Sequence, residues 1–176
     1  MKRPFLLLAA ALAALAAGCA STDSLGRQSH RALVVEESGL DNVSFLYQPR
    51  PGDRRFPYPC RLEIYSGKAI LRTGPSPQVR DSFSVATADR HWNGVAEGRL
   101  DLTGEQVREI LQTFVDEGLV PERRPRAQGL PCLQYAGTIG REKFAAATSN
   151  AVLVDTFEDF VTSNFSGTLR QAALMH

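Results

Sequence analysis

The fold is decided by the stretch Arg61-Leu62-Glu63-Ile64-Tyr65-Ser66-Gly67-Lys68-Ala69-Ile70-Leu71-Arg72. Two short runs rich in β-forming residues flank a turn that contains Gly67, and this arrangement predicts a β-hairpin. Glycine adopts the positive φ of such a turn without a steric penalty. Leu62 and Ile64 are two residues apart, so they share one face of their strand and mark it as the buried face. The hairpin is therefore expected to be the first unit of an antiparallel sheet.

Further strands are predicted on both sides of this hairpin. A second hairpin is indicated by 132–139 and 143–148, which flank a turn at Gly140. Two proline-containing loops interrupt the strand patterns, one near 48–59 and one near 121–131. The shorter strand candidates are 33–36, 42–47, 83–86 and 95–102.

The clearest helix pattern covers 104–117. Thr103 and Gln106 form the capping box of a helix start, and the apolar residues recur at helical spacing on one side. A second helix is predicted from Asn150 to residue 164 or 165, although 151–154 would also serve as a strand, and 168–175 could add a last helical turn or two. This order of elements predicts an α+β fold, in which an antiparallel sheet built from hairpins has about two helices packed on one face.

The N-terminus has the layout of a secretory signal. Two basic residues precede thirteen apolar residues at 5–17, whereas a membrane-spanning helix needs about 20. The stretch Leu15-Ala16-Ala17-Gly18-Cys19 resembles the lipobox of bacterial lipoproteins, although Ala16 stands where the family usually has leucine. The resemblance implies cleavage before Cys19 and attachment of lipid to that cysteine. The alternative is an ordinary signal peptide with a cysteine near its cleavage point.

The resemblance divides the chain into a cleaved signal peptide (1–18), a lipidated N-terminus with a flexible tether (19–32) and a single α+β domain (33–176). Ala20 follows the cysteine where an inner-membrane retention signal usually has aspartate. By the family's sorting rule this implies the outer membrane of a Gram-negative cell, with the domain facing the periplasm. The expected partner is therefore the membrane itself, through the lipid on Cys19.

The composition after cleavage limits the other partners. Cleavage leaves 158 of the 176 residues, which is enough for one domain with a core. It removes Lys2 and Arg3, so the formal net charge changes from +1 to −1. Nucleic-acid-binding domains generally carry a strong basic excess, so nucleic acid is not an expected partner.

Two cysteines, Cys60 and Cys132, are not accounted for by the lipid. An even pair in an exported protein predicts a disulfide, which would close a loop of roughly 70 residues and contribute about 4 kcal/mol to stability. A zinc site or a catalytic cysteine needs histidine or base partners, and the three histidines are far apart in the sequence. No metal and no cofactor is expected, because no metal-ligand spacing, phosphate loop or dinucleotide fingerprint occurs.

Part of the chain resembles an uncharacterised family of bacterial domains that are frequently found on lipoproteins. The resemblance rests on 59–68, on Gly98 and on the capped helix start at 102–107, and it extends over about 60–165. It implies the same arrangement of strands and helix but no activity. Catalytic chemistry has one weak candidate, the polar segment of Asp89 and His91, which lacks the sharp turn that presents a nucleophilic serine.

Six arginines stand in the two proline-containing loops, in front of the two cysteines: Arg50, Arg54, Arg55, Arg123, Arg124 and Arg126. A disulfide would bring the two loops together and create an anion-binding cluster, since arginine pairs with phosphate and carboxylate in a bidentate manner. The alternative is that the loops diverge and stay solvated. The expected partners are anionic lipid, lipopolysaccharide, peptidoglycan or another envelope protein.

These observations predict a membrane-anchored cell-envelope lipoprotein that is a non-enzymatic binding or structural module. The alternative is an envelope hydrolase, or an accessory factor of one, with an atypical site near His91.

Overall fold

The computed structural model describes residue 35 and residues 41–65, 67–75, 89–119 and 133–175. All of them belong to one compact unit, Ala32–His176. These ranges contain two α-helices, α1 (Gly104–Asp116) and α2 (Ala151–Ala173), and a short 3-10 helix (Asp89–Trp92). They also contain six strands: β1 (Asn42–Tyr47), β2 (Cys60–Tyr65), β3 (Lys68–Thr73), β4 (Ala96–Asp101), β5 (Leu133–Ile139) and β6 (Glu142–Thr148).

The six strands form one antiparallel sheet in the order β4-β3-β2-β1-β5-β6. Both predicted hairpins are confirmed, as β2–β3 and β5–β6, and Gly67 has the expected positive φ of 82°. β1 pairs with β2 on one side and with β5 on the other, so it joins the two hairpins. Phe45 in the middle of β1 lies opposite Leu62 of β2 and Tyr135 of β5.

Both helices pack on the same face of the sheet. The ring of Phe45 lies 4.6 Å from the ring of Phe114 in α1 and 5.8 Å from the ring of Phe157 in α2, measured between centroids. Side chains alternate along a strand, so every second residue of a strand lies on the face of Phe45. The apolar residues of this face and those of the two helices form one core. The predicted α+β class is confirmed.

Helix α1 follows its sequence pattern closely. The Thr103 hydroxyl accepts the backbone N–H of Gln106 at 3.2 Å, and the Gln106 side chain accepts the N–H of Thr103 at 2.8 Å. The predicted capping box is therefore present. Val107, Leu111 and Phe114 are buried. The helix ends one residue earlier than predicted.

Helix α2 is longer than its sequence pattern predicts. Asn150 caps its start, and the ambiguous segment 151–154 is helical. The expected end near residue 165 is wrong, since the helix continues through a kink at Phe165 (φ −128°, ψ 25°) to Ala173. Leu169 and Ala172 are buried beyond the kink, and their burial accounts for the continuation.

Gly98 of β4 allows α2 to approach the sheet closely. A Cβ atom at this position would lie 2.1 Å from Oγ1 of Thr168 and 2.9 Å from Cδ1 of Phe165. Both distances are far below van der Waals contact, so this position requires glycine.

The opposite face of the sheet carries charged side chains in cross-strand contact. Arg61 and Arg72 lie directly opposite each other, and like charges in this arrangement repel. Glu63 accepts a hydrogen bond from each of them, at 2.9 Å from Arg61 and 2.5 Å from Arg72. Arg72 also pairs with Glu97 of β4 at 2.8 Å. The two glutamates thereby offset the repulsion between the arginines, and positive and negative side chains alternate across the strands.

The remaining strand predictions have different outcomes. The predicted strand 95–102 is confirmed as β4, and 42–47 is confirmed as β1. The predictions for the N-terminal segments 1–32, for the strands 33–36 and 83–86 and for the loop 121–131 lie outside the described residues, except that Val35 is described as buried and in no strand.

Candidate functional site

The segment Gln48–Pro59, here called the proline loop, connects β1 to β2. Its four prolines restrict the backbone. Its tip turns at Gly52, where φ is +85° and the N–H of Asp53 donates to the carbonyl of Arg50 at 3.1 Å. The loop therefore has a defined shape although it contains neither helix nor strand.

The proline loop is attached to the domain at three points. Phe56 is buried, with its ring edge-on to Tyr47 at 5.2 Å between centroids. The guanidinium of Arg55 pairs with the carboxylate of Glu158 in α2 at 2.5 Å. The Tyr58 hydroxyl donates to the carbonyl of Met175, just beyond the end of α2, at 2.8 Å. These contacts hold the second half of the loop against β1, against α2 and against the residues just after α2.

Glu158 is a buried acid, with only 7% of its surface exposed. A buried carboxylate is costly unless it is paired, and Glu158 is paired twice, because the Tyr47 hydroxyl and the Arg55 guanidinium both donate to it. The carboxylate raises the pKa of Arg55. The adjacent acidic residues Glu158 and Asp159 in the second predicted helix indicate solvated charge, and this prediction from the sequence is wrong for Glu158. The position of Glu158 in the helix could have indicated its burial, because it lies one helical turn after Val154 on the apolar side of the helix.

The proline loop encloses a cleft of about 400 Å³. Its walls are mostly proline rings together with the aromatic side chains of Phe56 and Tyr58. Arg50 and Asp53 are the charged residues that line it. Asp53 is already engaged by Arg55, whose backbone N–H donates to Oδ1 at 2.8 Å and whose Nε lies 3.7 Å from the same atom. Arg50 is thus the cation that the cleft leaves available to a ligand.

The six arginines of the predicted cluster have different outcomes. Arg50 and Arg54 are exposed, and the described ranges contain no ion pair for either. Arg55 is exposed as well, but Glu158 occupies its guanidinium. Arg123, Arg124 and Arg126 lie outside the described residues, so the convergence of the two loops stays a prediction.

Cys60 is a buried thiol in this structure. Its Sγ lies 3.5 Å from both the carbonyl of Tyr58 and the hydroxyl of Thr73. Burial raises the pKa of the thiol to about 12. A thiol with such a pKa is almost entirely protonated at neutral pH and is a poor nucleophile or metal ligand.

The predicted disulfide partner, Cys132, lies outside the described residues, and the disulfide stays a prediction. Cys60 and Leu133 both pair with Tyr47, one on each side of β1. By strand spacing their Cα atoms are about 10 Å apart, whereas a disulfide joins Cα atoms within about 7 Å. A Cys60–Cys132 bond therefore requires the chain to turn toward β2 before it enters β5.

The segment around His91 is the other site that the sequence indicates. His91 is half-buried in the 3-10 helix, next to Trp92, which packs against Leu46 on the charged face of the sheet. The side chain of Asp89 lies outside the described residues. In the described ranges no group of three or more histidine, cysteine or acidic residues is placed to hold a metal ion.

Within the part of the chain that the structure describes, no helix is both long and apolar enough to span a bilayer. No protein-family model, curated protein or solved structure matches the chain. The resemblance to lipoproteins and to a bacterial domain family therefore stays a prediction from the sequence.

Proposed function

We propose that this chain is a membrane-anchored envelope lipoprotein whose α+β domain is a non-enzymatic binding module, with the proline loop as its contact surface. The anchor is the lipid on Cys19, which the lipobox-like sequence implies. The observation that supports the binding surface is the attachment of the proline loop to α2, which leaves Arg50 and Arg54 exposed. A loop that is already ordered loses little conformational entropy when it binds.

The exposed arginines suit an anionic partner. Guanidinium groups bind carboxylate and phosphate oxygens with matched planar geometry, and peptidoglycan, lipopolysaccharide and anionic lipid all carry such groups. Single ion pairs at a surface contribute little. Specific binding at this loop therefore depends on the fixed spacing of several groups and not on charge alone.

The anchor is tested by labelling cells with radioactive palmitate and separating the two membranes. We expect the wild-type chain to carry label and to fractionate with the outer membrane. Cys19→Ala should abolish the label, whereas Cys60→Ala, which changes a buried thiol, should retain it. Ala20→Asp should keep the label and move the protein to the inner membrane. Label on Cys19→Ala would contradict the anchor.

The binding surface is tested with residues 20–176, which retain the whole compact unit Ala32–His176. The double variant Arg50→Glu and Arg54→Glu should reduce co-sedimentation with peptidoglycan or anionic vesicles at least about tenfold, the equivalent of 1.4 kcal/mol. The control, Arg141→Glu with Arg170→Glu, makes the same change of charge at exposed positions elsewhere. An equal loss in both double variants would indicate nonspecific attraction and contradict the proposal.

The enzymatic alternative predicts a different result at His91. If the domain is a binding module, His91→Ala should leave this binding unchanged. A hydrolase would instead lose turnover of envelope material in the same variant.

A further inference from the structure

We infer that the cleft of the proline loop binds a short peptide segment through a free carboxylate, which pairs with Arg50. This inference rests on the proposed function of the proline loop and names the chemistry of its ligand. It is carried by the size of the cleft, the composition of its walls and its charge.

The size of the cleft limits the ligand to a small group. Sites for small molecules typically enclose about 300 to 1,000 Å³, and this cleft, at about 400 Å³, is near the lower end. A segment of a few residues fits this size. A folded partner or a polymer chain could enter only with an end or a side branch.

The walls favour a peptide over a purely ionic ligand. Pro49, Pro51 and Pro57 present apolar rings, and Tyr58 adds aromatic surface, whereas Phe56 is buried and offers almost no exposed surface. Such rigid apolar walls are suited to aliphatic side chains and to an extended backbone. The amide of Gln48, which also lines the cleft, can donate to a peptide carbonyl and accept from a peptide N–H.

The charge favours a single carboxylate over a phosphate. Arg50 supplies one guanidinium that the described contacts leave available, and a guanidinium matches one carboxylate in a bidentate manner. A phosphate monoester carries about −1.5 to −2 charges at neutral pH. The carboxylate of Asp53 in the same wall opposes this additional negative charge.

The inference is tested by titrating the full chain in detergent micelles with acetyl-Ala-Ala-Ala, which has a free C-terminal carboxylate. Nitrogen-15 NMR should show shifts of the backbone signals of Gln48, Gly52 and Asp53 that saturate with peptide. The C-terminal amide of the same peptide is the matched ligand control. It should bind at least about tenfold more weakly, since it lacks the charge.

Two variants locate the contact. Arg50→Gln should weaken binding of the acid about tenfold and should not change binding of the amide. Arg141→Gln removes the same charge at an exposed position outside the proline loop, so it should change the affinity less than about twofold. Arg50 is exposed, and an unchanged melting temperature will show that its variant is folded.

Equal binding of acid and amide, or equal losses in the two variants, would overturn the inference. Inorganic phosphate that displaces the peptide at equal concentration would overturn it too, because the cleft would then be a general anion site. The results also distinguish failure of this inference from failure of the proposed function. If the peptide does not bind while Arg50→Glu with Arg54→Glu still abolishes co-sedimentation, only the ligand chemistry is wrong. If neither depends on the loop, both are wrong.

Discussion

The buried thiol of Cys60 makes the stability of the fold depend on pH in a way that can be worked out from its surroundings. Its pKa is raised from an ordinary value of 9.0 to about 12 because the thiolate would be desolvated. In the unfolded chain the thiol is solvated and has its ordinary pKa. The native state therefore keeps the proton over a pH range in which the unfolded state releases it.

The sign and size of the effect follow from linkage. Below pH 9 both states hold the proton, and the thiol adds no pH dependence. Between about pH 9 and pH 12 only the unfolded state loses it, so the free energy of unfolding falls as pH rises, by about 1.4 kcal/mol per unit. We expect a loss of about 2 kcal/mol at pH 10.5 relative to pH 8.

The assay is urea denaturation between pH 8 and pH 10.5 in the presence of a reductant. Tyrosines and lysines also titrate in this range, so the informative quantity is the difference between the wild type and Cys60→Ala. That variant leaves a small cavity and should be less stable than the wild type at pH 8. Its free energy of unfolding should, however, fall less steeply as the pH rises. Parallel curves for the two proteins would refute the reasoning.

The same measurement without reductant tests the predicted disulfide. A bond between Cys60 and Cys132 removes the titrating thiol, so the extra pH dependence should vanish in the oxidised protein and return when the reductant is added. A free energy of unfolding that still falls more steeply with pH in the wild type than in Cys60→Ala without reductant would show that the thiol stays free.

Other contacts lead to further predictions. Gly98→Ala should lower the free energy of unfolding by about 1 to 3 kcal/mol, because the added Cβ would collide with Thr168. In chemical denaturation, the second substitution Thr168→Ala should restore part of this loss. No recovery in the double variant would argue against this contact. Tyr47→Phe removes a buried hydroxyl bonded to a carboxylate and should cost about 1.5 to 3 kcal/mol. Tyr58→Phe, which loses a bond to a neutral carbonyl, should cost about 0.5 to 1.5 kcal/mol; a larger loss for Tyr58→Phe would contradict this ranking. Thr103→Ala removes the helix cap and should cost about 1 kcal/mol, whereas Thr103→Ser should be close to neutral.

Prediction from the sequence succeeds where the interactions are local. The β2–β3 hairpin depends on Gly67 and on the alternation around it, and the start of α1 depends on Thr103 and Gln106. In each case the interacting groups lie within a few residues of each other. The end of α2 is different, because its continuation past Phe165 depends on burial against a distant part of the chain.

The candidate site divides in the same way. The proline loop and its exposed Arg50 and Arg54 could be predicted, since prolines and repeated arginines predict a solvated loop. The pairing of Arg55 with Glu158 could not, because the two residues are 103 positions apart in the chain. The shape of the cleft likewise depends on distant contacts, since Phe56 packs on Tyr47 and Tyr58 donates to the carbonyl of Met175.

The sequence by itself determined that hairpins and capped helices form an α+β domain, and that a loop with exposed arginines precedes the first hairpin. Tertiary structure alone decided that β1 joins the two hairpins, that Glu158 is buried and that Arg55 is held by it. The physical reason is that turn geometry and capping act over a few residues, whereas the burial of a charge is decided by which distant groups can neutralise it.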